Sequence, residues 1–142
     1  PVYVSWARNN RSALVRVPIH KAGKASSTRI EYRALDSAAN PYLAYSVILA
    51  AGLKGIEDGY ELPDEADENL WSLNREQARK AGLQRLPQDL REALDLMEES
   101  ELVRDVIGEH IFEWFIRNKR EEWEEYQRHV TPYEIERYLP IW

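Results

Sequence analysis

Residues 41–53, PYLAYSVILAAGL, are apolar on nearly every face that a helix would present. A helix of that composition has no polar stripe to offer water, so the stretch predicts a helix buried on all sides. It has to be covered by other elements with matching apolar surface. At 142 residues the chain has the size of one ordinary domain, with 44% hydrophobic and 31% charged residues from which to build core and surface. The run is too short to span a bilayer. No apolar run reaches the roughly 18 residues that a spanning helix needs, so no membrane partner is expected.

Ahead of that helix the pattern differs. Residues 2–8 (VYVSWAR) and 13–17 (ALVRV) are rich in β-branched and aromatic types, with the turn-tolerant Asn9-Asn10 between them. They predict a β-hairpin or two consecutive strands, closed by Pro18. Residues 19–27 (IHKAGKASS) read as a loop and 28–33 (TRIEYR) as a third short strand. Asn40 is placed to cap the apolar helix, Pro41 suits its first position, and Gly55 or Gly59 would end it.

After the helix, residues 60–74 (YELPDEADENLWSLN) are acidic without a period and read as a loop. Short helices are expected over 75–81 and 88–99, the second opened by Pro87 and carrying Leu90, Ala93, Leu94 and Met97 at helical spacing. Ser100 is placed to cap the longest helix, 101–129, with the stripe Leu102, Val103, Val106, Ile107, His110, Ile111, Trp114 and Phe115. His110 then reads as a core histidine. A final short helix follows Thr131-Pro132. The expectation is an α+β fold: a few antiparallel strands over about 2–33, then a mainly helical body over about 41–139.

Charge is unevenly placed. Arg8, Arg11, Arg16, Lys21, Lys24, Arg29 and Arg33 face a lone acid, Glu31, in residues 1–33, although the whole chain carries −6. A basic front on an acidic body argues against a nucleic-acid coat and for a local anion site. The same bases would also serve simply to solubilise an edge hairpin. With no cysteine, disulfides, thiolate metal sites and a cysteine nucleophile are excluded. His20, His110 and His129 are too scattered for a His-rich metal cage. There is no GxxxxGK[ST] or GxGxxG phosphate loop, and Ser12, Ser26, Ser27 and Thr28 have no histidine at a triad spacing. The chain opens on Pro1 without a charged-then-apolar leader, so a cytoplasmic protein is expected, and the missing initiator methionine reads as a piece cut from a longer polypeptide.

One constellation can carry chemistry. Alternate side chains of a strand share a face, so Arg29, Glu31 and Arg33 point one way, and Ile30 and Tyr32 the other. A carboxylate there can hold a hard cation, and guanidiniums can grip phosphate or carboxylate oxygens with forked hydrogen bonds. If the three strands are neighbours, Arg11, Arg16, Arg29 and Arg33 converge around Glu31, which is the local chemistry of phosphoryl transfer. Lys21 and Lys24 would reach a nucleotide phosphate from the loop. The plain alternative is an exposed ladder of ion pairs, each worth at most about 1 kcal/mol. Glu31 by itself is one ligand, and a metal site needs further carboxylates from elsewhere.

The order of several motifs carries a resemblance. Asn10-Arg11-Ser12-Ala13, Val15-Arg16-Val17-Pro18, Arg29-Ile30-Glu31-Tyr32-Arg33, Ala38-Ala39-Asn40-Pro41-Tyr42-Leu43-Ala44 and Ala51-Gly52-Leu53-Lys54-Gly55-Ile56 follow one another. Together they closely resemble the C-terminal part of bacterial type I glutamine synthetase. The ending VTPYEIERYL, 130–139, is similar as well. The resemblance covers the whole chain, 1–142, as the C-terminal portion of that family's catalytic domain, with its specificity concentrated in residues 8–56. It implies that the strands belong to a larger catalytic sheet.

It further implies ATP-dependent ligation of ammonia to L-glutamate through a γ-glutamyl phosphate. Carried over residue by residue, Glu31 matches the carboxylate on the nucleotide-side Mg²⁺ or Mn²⁺. Arg33 matches the arginine that holds glutamate. Arg11 matches the catalytic arginine shared between glutamate and the transferring phosphate. Arg16 and Arg29 match arginines on the ATP phosphates, and Lys24 an ATP-proximal lysine. The family assembles as a dodecamer of two stacked hexameric rings, with the C-terminal segment reaching across the rings.

The flap glutamate that deprotonates ammonium, the other metal ligands and the N-terminal domain would lie before Pro1, so this piece alone is expected to be inactive. Asn69-Leu70-Trp71 resembles the segment that carries an adenylylated tyrosine in some relatives, and Trp71 has no hydroxyl to modify. Two alternatives stand beside the main reading: a γ-glutamyl-polyamine or other amine ligase on the same scaffold, and a non-catalytic, glutamine-synthetase-like assembly module.

Overall fold

The structure, a computed structural model, describes residues 1–19, 23, 24, 28–66 and 69–141. The chain divides into two compact units, Pro1–Leu86 and Pro87–Trp142.

The first unit holds the strands β1 (Trp6–Ala7), β2 (Val15–Arg16) and β3 (Glu31–Tyr32), which lie in that order in one small sheet. β2 and β3 are antiparallel, as expected. β1 and β2 are parallel, with Trp6 opposite Val15 and Ala7 opposite Arg16, which corrects both the hairpin and the all-antiparallel expectation. The turn at Asn9–Ser12 does not lead straight back along β1. The chain crosses over through the buried Ala13 and Leu14 before pairing, so that Val15 N–H donates to Ser5 O at 3.0 Å and Val17 N–H to Ala7 O at 2.9 Å.

On the other flank of the first segment, Val4 N–H donates to Gln84 O and Leu86 N–H to Val2 O, both at 2.8 Å. Between these edges Tyr3, Leu70 and Ala78 form a core cluster, with Val2, Ala66, Leu73 and Leu83 packed against it. Leu70 sits on a 3₁₀ turn, Leu70–Ser72, that the acidic segment read as a loop in fact contains. It leads into α2 (Arg75–Lys80), opened by a capping box between Asn74 and Gln77.

α1 (Pro41–Glu57) begins as its sequence dictates. Asn40 Oδ1 accepts from Tyr42 N–H at 3.0 Å and Leu43 N–H at 3.4 Å, and Pro41 lacks the donor that this position could not use. The expectation of burial on all sides is not met: no residue of α1 is buried, and Tyr42 is 83% exposed and Ile56 79%.

The second unit packs α3 (Leu90–Glu98), α4 (Glu101–Ile107) and α5 (Glu109–Arg128) against one another around Leu94, Ile107, Phe112 and Ile116. The single helix expected over 101–129 is broken at Gly108, whose φ of 79° and ψ of 147° are outside any helix. The break resets the helical phase. The buried face of α5 runs through Phe112 and Ile116, not through the expected stripe, and His110 is exposed, edge-on to Trp114. Arg120 Nη2 ties α5 to α3 through Asp95 Oδ1 at 2.6 Å and Glu98 Oε2 at 2.7 Å. α6 (Pro132–Tyr138) starts at a capping box of Thr131 and Glu134.

Candidate functional site

The antiparallel register of β2 and β3 sets Arg16 directly opposite Glu31. Glu31 Oε2 accepts from Arg16 Nη1 at 2.9 Å. Its other oxygen, Oε1, accepts from Arg29 Nη2 at 2.9 Å and Nε at 3.2 Å. Hydrogen bonding from Arg16, seconded by Arg29, holds the Glu31 carboxyl below the usual carboxylate range against the opposing pull of desolvation. The Arg16 and Glu31 side chains are largely shielded, at 29% and 28% exposure. Among the described residues, two guanidiniums meet this one carboxylate. Arg16 Nε is buried and, among the described residues, has no hydrogen-bond partner. A shielded donor without an acceptor among the described residues, beside a second guanidinium, is chemically suited to an oxyanion.

Of the residues singled out in the sequence, Arg16, Arg29 and Glu31 are thus brought together. Arg33 lies just beyond the two-residue ladder. Its N–H donates to Leu14 O at 2.9 Å, and its side chain is exposed rather than joined to the Glu31 cluster. Lys24 is exposed, and Lys21 lies outside the described residues.

Arg11 precedes β2 on the turn and lines a separate cleft with Asn9, Asn10, Glu65 and Asn69. Segments far apart in sequence meet there. Trp6 Nε1 donates to Pro63 O at 2.7 Å. Arg8 donates to Glu65 through its backbone N–H at 2.5 Å and Nη1 at 2.7 Å. Asn10 Nδ2 donates to Ala66 O at 2.8 Å. Leu70 N–H donates to Ser12 Oγ at 3.0 Å. Sequence reasoning missed Glu65 and the clasp built by Asn10 and Ser12. The available signal was that these two polar residues flank Arg11.

The described residues do not make up a metal site by themselves, because no three His, Asp or Glu side chains among them gather at one point. Each Glu31 oxygen already accepts from a guanidinium and keeps further lone-pair capacity. The carboxylate therefore fits as one ligand of a site whose other ligands lie outside these residues. Among the described residues, no helix is long and apolar enough to cross a membrane.

Comparison with known proteins gives one answer. The family described as "Glutamine synthetase, catalytic domain" matches residues 1–138. A glutamine synthetase of Mycolicibacterium smegmatis is 54% identical over 141 residues, which is 99% of this chain and 32% of that protein. A glutamine synthetase of Mycobacterium tuberculosis H37Rv is 52% identical over the same span. The solved structure described as "GmaS/ADP complex-Conformation 1" superposes with a TM-score of 0.82 at 31% identity, covering 99% of this chain and 30% of that one. The chain spans about a third of the length of these curated relatives, 32% in both bacterial cases.

Proposed function

Because this chain belongs to the glutamine synthetase family through its catalytic domain, we propose that its residues form the C-terminal third of an enzyme that joins ammonia to L-glutamate using ATP. The γ-carboxylate is first phosphorylated to a γ-glutamyl phosphate, and ammonia then displaces phosphate. The observation that carries this reading is the Arg16–Glu31–Arg29 cluster with its unpartnered Arg16 Nε. A phosphoryl group in transfer needs fixed cationic donors around its oxygens more than it needs a covalent partner.

Arg16 and Arg29 would hold ATP phosphates, the Arg16 Nε supplying a donor that no group among the described residues already uses. One structural neighbour is described as an ADP complex, which is in keeping with nucleotide use on this scaffold. Glu31 aligns both guanidiniums and would be one ligand of Mg²⁺ or Mn²⁺, which supplies further neutralisation of phosphate charge. Arg33, exposed beyond β3, is free to meet the carboxylates of glutamate, and Arg11 would contact glutamate and the transferring phosphate from its own turn. Lys24 would approach the nucleotide from the loop. Assembly would follow the family as a dodecamer of two stacked hexameric rings in the cytoplasm, without nucleic-acid or membrane partners. The 142 residues alone would be inactive if, as the family resemblance implies, the remaining metal ligands and the ammonium base are supplied by other parts of the enzyme.

Ammonia is favoured over a polyamine or another amine by relatives at 52–54% identity that bear the name glutamine synthetase. The decisive experiment gives the full-length protein ATP and glutamate and compares phosphate release with ammonium and with a polyamine. Turnover with ammonium and glutamine as product supports the reading. Turnover only with the polyamine transfers it to the alternative ligase, and turnover with neither leaves the assembly module.

A further inference from the structure

We propose that Asn10 and Ser12 are positioning residues for Arg11, fixing the turn that carries it by a continuous run of hydrogen bonds onto Ala66 and Leu70. The proposal rests on the reading that Arg11 engages substrate. The Arg11 side chain is exposed, and its guanidinium takes no hydrogen bond or ion pair among the described residues. The point from which it projects is therefore set by the backbone alone, and that backbone is held from both sides. Asn10 Oδ1 reaches past Arg11 to accept from Ser12 N–H at 2.9 Å and from the Ser12 hydroxyl at 2.6 Å. This is the side-chain bridge of an Asx turn, with an additional hydroxyl donor.

The polarity of the run leaves one arrangement. Because the Ser12 hydroxyl gives its proton to Asn10, its oxygen can accept, and it does so from Leu70 N–H. With the Asn10 oxygen occupied by Ser12, the amide nitrogen is turned outward and donates to Ala66 O. Ser12 is only 2% exposed, so its hydroxyl meets neither water nor substrate and has an internal task alone. Trp6–Pro63 and Arg8–Glu65 hold the same two stretches together farther along. An arginine on a free turn samples many directions. One whose two neighbours are pinned has the root of its side chain fixed, so its fork searches a smaller volume, and a misplacement of about 1 Å at a substrate-binding group lowers turnover by as much as about 100-fold.

The test is steady-state kinetics on the full-length synthetase with Ser12→Ala, Ser12→Cys, Arg11→Lys and the Arg11→Lys/Ser12→Ala double variant. Ser12→Ala is expected to lower kcat/KM for glutamate by about 10- to 100-fold. Ser12→Cys, with its weak donor and acceptor, falls between it and the parent, and remains informative if the alanine variant fails to fold. In the Arg11→Lys background Ser12→Ala adds less than about threefold, because the fork it aims is already gone. Full additivity in the double variant, or unchanged kinetics in Ser12→Ala and Ser12→Cys, overturns the proposal. Unchanged glutamate kinetics in Arg11→Lys overturns the reading of Arg11 and the proposal with it, which separates that failure from a failure of positioning alone.

Discussion

Arg16 and Glu31 are cross-strand partners, and the guanidinium of the first meets the carboxylate of the second at 2.9 Å. The contact is a product of register. A slip of one residue between β2 and β3 would send the two side chains to opposite faces of the sheet. The chemistry of the candidate site is therefore fixed by the same backbone ladder that builds the fold.

Replacing Glu31 by Gln removes the charge that aligns Arg16 and Arg29 while keeping the shape. In the full-length protein this change is expected to lower kcat for glutamine formation by about 100-fold or more, the scale on which fixed electrostatic groups act on a transition state. Steady-state assays at saturating ATP and Mg²⁺ measure it, and a loss under about threefold would remove Glu31 from the machinery.

Glu31 should also titrate abnormally. Its carboxyl is held low in the folded state, chiefly by the Arg16 hydrogen bond. A depressed acid of this kind contributes stability that is present above its unfolded value and is lost as pH falls through the folded one. Carboxyl-carbon NMR is expected to place its midpoint below the usual carboxylate range. An Arg16→Met change should move it upward, and a midpoint indifferent to that change would contradict the assignment of cause.

Gly108 separates α4 from α5 with a φ of 79°, and a Cβ there would meet nothing within 4 Å. The strain in Gly108→Ala is thus purely that of the backbone, with an expected loss of about 1–3 kcal/mol. Chemical denaturation of the full-length protein reads this as an earlier unfolding midpoint. An unchanged midpoint would mean that the corner can be made in another conformation.

α6 and the turn after it leave Tyr133 67%, Tyr138 54% and Leu139 67% exposed. If this end bridges two rings, truncation after Thr131 in the full-length protein should roughly halve the particle mass measured by light scattering, with the rings themselves surviving. An undiminished mass would place the contact between rings elsewhere.

Local signals were legible where one residue type decides one geometry. Asn40-Pro41 opens α1, Ser100 caps α4, and Thr131-Pro132 opens α6, each by side-chain chemistry that acts within three residues. The pairing of Glu31 with Arg16 and Arg29 was legible because strand alternation limits which side chains can meet. Gly108 was not, since one glycine within a helical pattern is usually tolerated and its neighbours keep the apolar rhythm. The parallel pairing of β1 was hidden because Asn9-Asn10 announces a turn without saying where the chain goes next. The link between Arg8 and Glu65 joins residues 57 apart, and no local pattern encodes it. The apolar rhythm of α1 states what its surface prefers to touch and is silent on what supplies it.

The solitary Nε of Arg16 has a thermodynamic corollary. A donor hidden from solvent and without an acceptor among the described residues is a standing disadvantage of the fold, and an oxyanion bound as proposed would cancel it once the site opened to admit it. Occupancy and rigidity at the β2–β3 ladder would thereby be coupled: a ligand settling against this nitrogen would make the small sheet harder to pull apart.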